Sequence, residues 1–151
     1  MTFIEFKDEL FFFRDRQREK LALHRRLENV REERLAKLSP GAMDYSKERL
    51  QTSHDPDGSM IRSLYEIDKE EEHLKNEIDR LEERNQPMEA LIRSVEGVEA
   101  VVLYYYYIQV LGMKKIAGIV DYSEESCWRF HRTTIKKLWE KEEAKDEKYQ
   151  I

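Results

Sequence analysis

Residues 111–139 read LGMKKIAGIVDYSEESCWRFHRTTIKKLW, and the spacing of apolar side chains within them decides the fold. Ile116, Ala117 and Val120 fall on one face of a helix predicted over residues 113–120. Asp121 and Tyr122 interrupt the pattern, and Ser123 then offers a hydroxyl to an amide of the next turn, a common helix opening. Beyond it Cys127, Phe130, Ile135 and Leu138 recur at helical steps, so the next helix runs from Ser123 to about residue 139. Two helices joined by so short a connection give a helix-turn-helix pattern, in which the first braces the second against the major groove of a duplex.

A helix over residues 96–109 completes a trihelical unit. Leu103, Tyr107, Leu111, Ile116, Ala117, Val120, Cys127, Phe130, Ile135 and Leu138 are predicted to face one another across it, with the small Ala117 permitting a close crossing. Steps of three and four leave Glu125, Trp128 or Arg129, Arg132 and Lys136 on the opposite face of the last helix, with Ser126 near its start. The planar forks of Arg129 and Arg132 suit guanine edges or phosphates, while Lys136 and Lys137, farther along, suit phosphates. Lys114 and Lys115 would pin the start of the preceding helix to the backbone of a duplex. Residues 112–139 carry six basic side chains against three acidic ones, although the net charge of the chain is -5. Any contact with nucleic acid therefore rests on a local patch. Glu124 and Glu125 complement the helix dipole yet repel phosphates, so either one of them accepts from a cytosine amino group or binding is weak.

Val102-Leu103, Tyr107-Ile108, Leu111, Ile116-Ala117, Tyr122-Ser123, Arg129, His131 and Lys136-Lys137-Leu138 resemble the fourth region of bacterial sigma factors, in the variant used by phage late-transcription regulators of the ArpU and RinA type. Upstream, Asp44-Tyr45, Arg49-Leu50-Gln51-Thr52-Ser53 and Asp57 resemble the polar linker that such proteins place between two charged helices, so the likeness spans about residues 20–140. Val110 and Asp121 stand where that pattern has glycine, and Gly112 where it has serine or threonine. The resemblance implies an all-helical regulator with a coiled arm and a sigma-like DNA-binding end, encoded in phage or prophage genomes, and no catalytic residues.

Toward the N-terminus, Leu64, Ile67, Glu71, Leu74, Ile78, Leu81, Asn85, Met88, Ile92 and Val95 alternate steps of three and four, the seam of a coiled coil. Eight of these ten are apolar, and such a stripe needs a partner helix, since each buried Leu or Ile is worth roughly 1.5–3 kcal/mol of transfer free energy. Residues 5–38, with Phe13, Leu23, Leu27 and Val30 in helical register, are the nearest candidate, folded back as an antiparallel hairpin. A second copy of the chain is the other. Glu71 places a carboxylate in the seam, to fix register or to meet an arginine of the facing helix. Pro87 is expected to kink the helix or restart it with Asn85 near the N-cap. Ser39-Pro40-Gly41 ends the first helix, and residues 39–59 form a polar connection with the turn Asp55-Pro56-Asp57-Gly58. The expected fold is all-α. A long antiparallel helical hairpin or coiled-coil arm covers residues 1–95, with helices over about 5–38 and 60–95. A small sigma-region-four-like helix-turn-helix domain covers residues 96–151.

Charged residues make up 39% of the chain, with five glycines and three prolines in 151 positions, which suits long helices better than sheet or a large spherical core. The lone Cys127 excludes an intramolecular disulfide, and the N-terminus lacks the apolar core and cleavage site of a secretory signal. The longest apolar run, from Val98 to Leu111, is broken by Glu99 and Gln109 and falls short of the roughly 20 residues of a membrane span. A cytoplasmic protein without a membrane partner is expected. His24, His54, His73 and His131 lie apart, and the turn at Asp55 lacks the closing glutamate of a calcium loop. Paired carboxylates, an activated nucleophile and a glycine-rich phosphate loop are all missing, so no metal, cofactor or catalysis is expected. Four consecutive tyrosines, Tyr104 to Tyr107, point in four directions on a helix, which favours packing over base stacking. The expected function is sequence-specific binding of double-stranded DNA by a transcription regulator of phage or prophage type, with RNA polymerase and a second copy of the chain as further partners. A phage DNA-packaging subunit of the small-terminase kind, and a helical interaction protein without DNA affinity, are the alternatives.

Overall fold

The computed structural model describes residues 1–38 and 62–149, and over them the chain is all-helical. In order come α1 (Phe3–Leu38), α2 (Leu64–Arg93), α3 (Val98–Leu103), a π-helical turn (Tyr104–Ile108), α4 (Met113–Val120) and α5 (Glu124–Tyr149). The polar connection over residues 39–59, with its prolines, the turn at Asp55 and His54, lies outside the described residues. No described helix is long and apolar enough to cross a membrane.

Helices begin where a hydroxyl can serve an otherwise unpartnered amide. Thr2 and Glu5 form a reciprocal capping box: the Glu5 amide donates to Thr2 Oγ1 at 3.1 Å and the Thr2 amide to Glu5 Oε2 at 2.8 Å, which starts α1 two residues before the expected position. Ser63 serves the Glu66 amide at the head of α2, and Ser123 serves the Ser126 amide at the head of α5, each at 3.1 Å. Helix α2 runs on through Pro87 instead of restarting there. Pro87 and the carbonyl-bearing Glu83 one turn earlier are both exposed, so water can hydrate the carbonyl that proline leaves without an amide. Asn85 is wholly buried in the seam and caps nothing.

Packing groups the described chain into two compact units, Lys20–Arg80 on the one hand and Met1–Glu19 with Leu81–Ile151 on the other. In the unit Lys20–Arg80, Leu27, Val30, Ile67, Leu74 and Ile78 make a buried apolar seam with Leu23 at its margin. Arg26 pairs with Glu70, Arg31 with Glu71 and Arg34 with Asp68, so ion pairs flank the seam between α1 and α2. Glu71 is buried and meets Arg31 at 3.3 Å, Lys75 at 3.2 Å and the Arg34 guanidinium. A buried carboxylate is tolerated only when so surrounded. Burial pushes its carboxyl up, but hydrogen bonds from Lys75 and Arg31 and the charges of Arg34 and Lys75 outweigh that and hold it below the usual range.

In the other unit two apolar clusters form instead of the single trihelical core expected. Val102, Met113, Ile116 and Cys127 are buried together, with Leu111, Ala117, Val120 and Phe130 packed around them. Leu103, Tyr107, Ile135 and Leu138 belong to a second cluster, completed by Phe6, Leu10 and Phe13 of α1 and Ile92 of α2. This second cluster thus joins residues from both sides of the expected boundary at residue 95. A three-helix piece this short buries only one face of α5, and the first turns of α1 cover the other.

Candidate nucleic-acid interface

The turn before α4 sets the site. At the π-helical turn the Gln109 amide bonds back to Tyr104 O at 3.1 Å and the Leu111 amide to Tyr105 O at 2.9 Å, steps wider than those of an α-helix. Arg14 of α1 fills the resulting gap: its Nε donates to Tyr106 O at 2.9 Å and its Nη2 to Leu111 O at 3.1 Å. The same guanidinium lies 4.1 Å from the centre of the Tyr106 ring, a stacking that adds cation–π attraction. Val110 then turns the chain with φ of 56°, a left-handed conformation that costs a branched residue about 1–2 kcal/mol. Nothing in the sequence marks Arg14 for this part, because its partners are backbone carbonyls more than 90 residues away.

Helix α4 spans Met113–Val120 as expected and closes on Asp121, left-handed at φ of 62°, whose amide bonds Ala117 O at 3.0 Å. Three residues later α5 begins, capped by Ser123, and runs ten residues past the expected end at 139. Ser123 Oγ also donates to Ser126 Oγ at 2.8 Å, so Ser126 is half-buried in the cap. Gly118 lies mid-helix and exposed, with nothing within 4 Å of the position a Cβ would take. Gly118→Ala is accordingly expected to stabilise the chain by about 1 kcal/mol, raising the melting temperature by about 2–4 °C. A lower melting temperature would show that this face of α4 is not open.

On α5 the exposed positions include Glu124, Glu125, Arg129, Arg132, Lys136 and Lys137, and Lys114 and Lys115 are exposed on α4. Glu125, Arg129, Arg132 and Lys136 are separated by steps of four, three and four, and so share a face. Many arginines of α1 and α2 are ion-paired, among them Arg26, Arg31, Arg34, Arg80 and Arg93. By contrast, none of Lys114, Lys115, Arg129, Arg132, Lys136 and Lys137 makes an ion pair with another described residue. Arg129 lies 5.9 Å from the Phe130 ring centre.

Trp128 does not join the exposed face. It is half-buried, its ring meeting Tyr106 at 5.6 Å and His131 at 5.5 Å. One residue beyond the buried Cys127, it lies at the border between faces, and the π-helical turn supplies aromatic rings that draw it inward. His131 stacks on Tyr107 at 5.5 Å, and its Nε2 lies 2.6 Å from the Tyr107 hydroxyl. Burial, with Arg132 and Arg14 nearby, pushes His131 down to about 4, while burial and the neighbouring Tyr106 push the Tyr107 phenol up. Both groups are thus neutral at ordinary pH. Cys127 is buried, and burial together with Glu124 raises its thiol, the opposite of what a reactive cysteine needs.

Comparison of the chain with known protein families, with curated proteins and with solved structures finds no match.

Proposed function

We propose that the chain is a sequence-specific DNA-binding transcription regulator of phage or prophage type, which reads the major groove with α5. The observation that carries this reading is the exposed face of α5, where Arg129, Arg132 and Lys136 stand in helical register without an anionic partner among the described residues. Guanidinium groups held ready in this way can take guanine edges or phosphates bidentately, at no cost of breaking an internal ion pair. The left-handed turns support the resemblance to sigma region four: Val110 and Asp121 take positive φ at the two places where the similar pattern carries glycine. Lys136 and Lys137 would hold phosphates along one strand, and Lys114 and Lys115 would do so from α4. Ser126, occupied in its own cap, and Trp128, turned inward, drop out as groove contacts.

Binding to a duplex selected from a random pool tests the reading. Arg132→Ala is expected to weaken the selected duplex by about 1–3 kcal/mol and to relax the preference at one base pair, while Lys137→Ala weakens all sequences alike and lowers the salt slope by about 1. Equal affinity of both variants and the parent chain would count against α5 as the reading helix.

A further inference from the structure

Where Met1–Glu19 of α1 packs with the end of α2, the facing positions are apolar except at one level. Phe6, Leu10 and Phe13 line α1, and Leu81 and Ile92 line α2, all at most 7 % exposed. Between them Gln17 is 2 % exposed and Asn85 is completely buried. These two amides meet each other: Asn85 Nδ2 donates to Gln17 Oε1 at 3.2 Å. The half-buried Arg16 completes the layer, its Nε donating to Asn85 Oδ1 at 2.7 Å. Burial and the like charge of Arg84 lower the Arg16 guanidinium, with Glu9 opposing, so the contact to Asn85 is made from a partly desolvated cation.

The layer adds directed bonds and costs apolar burial. A pair of leucines would fill the same space and lose no hydrogen bond if one helix slid along the other by a turn. With the amides in place, a slip of one turn that sets Gln17 against Leu81 sets Asn85 against Phe13, leaving both amides buried without partners. Association of two copies through the α2 stripe would likewise separate Asn85 from Gln17 and Arg16. Single buried amides are known to fix register and partner number in paired helices at some loss of stability. We infer that the Arg16–Asn85–Gln17 layer is a register lock that commits the start of α1 and the end of α2 to each other within one chain.

The test compares the full chain with Gln17→Leu/Asn85→Leu and with the exchanged pair Gln17→Asn/Asn85→Gln, using light scattering, two-dimensional amide spectra and urea unfolding. The parent chain and the exchanged pair are expected to show the monomer mass of 18.3 kDa and one amide peak per residue. The leucine pair is expected to keep or raise the urea midpoint while gaining a species of twofold mass that grows with concentration, or a second set of peaks. A leucine pair that remains monomeric with one peak set would overturn the inference. So would a parent chain of twofold mass. A leucine pair that does not fold would assign the layer to stability instead of register and overturn it equally.

Discussion

Phe13→Ala is expected to cost about 3–5 kcal/mol of folding stability, although Phe13 stands on α1, more than 100 residues from α5 in sequence. The side chain is fully buried, its ring centre 6.5 Å from that of Tyr107, and it shares a cluster with Leu103, Ile135 and Leu138. Phe11, two positions earlier, is 67% exposed, and Phe11→Ala is expected to change stability by no more than about 0.5 kcal/mol. Urea unfolding of both variants distinguishes the buried face of α1 from its exposed one. Equal, small losses would mean that α1 does not enter the core around α5.

Acid is expected to weaken the fold through His131. Its folded value, about 4, lies below the ordinary 6.5, so the neutral ring is the form that folding favours. A depressed histidine contributes stability that is complete above the unfolded value and is lost as pH falls from 6.5 toward 4. Between pH 8 and pH 5 the loss comes to about 2 kcal/mol, or about 4–8 °C in melting temperature. The groups responsible are the rings of Tyr106, Tyr107 and Trp128, which bury the imidazole, and Arg132 and Arg14, which repel the charged form. Glu70 and Glu71, both held below the ordinary carboxylate value by arginine or lysine partners, release their share as pH falls below that ordinary value of 4.5, so the His131 loss above pH 5 comes before theirs. In His131→Gln, which keeps a polar group near the Tyr107 hydroxyl, the drop between pH 8 and pH 5 should shrink to a small remainder. An unchanged drop would place the titration elsewhere.

Much of the helical order was legible because local signals agreed. The seam expected from Leu64 to Val95 holds from Ile67 onward, Leu64 itself being exposed, and the hydroxyl of Ser123 and the break at Asp121 each mark a position whose backbone need is local. Glu71 was legible as a seam carboxylate in want of an arginine, and Arg31 and Arg34 supply it. Asn85 was misread as a cap beside Pro87, because the amide that claims it, Gln17, is 68 residues away. Distance in sequence also hid Arg14 and the sharing of one core by α1 and α5. Helical spacing says that Phe6, Leu10 and Phe13 share a face, and gives no hint of what covers it. Trp128 failed for a different reason: its angle on α5 suits either face, and the decision lies with the aromatic rings of the π-helical turn.

The claim that α5 reads a duplex through one face is tested most directly by amide-shift mapping of the full chain with a duplex selected for binding. The largest shifts are expected at Glu125, Arg129, Arg132 and Lys136, smaller ones at Lys114 and Lys115, and little change at Leu27, Val30 or Leu74. Shifts centred on the unit Lys20–Arg80, or none at low salt with any duplex, would contradict it.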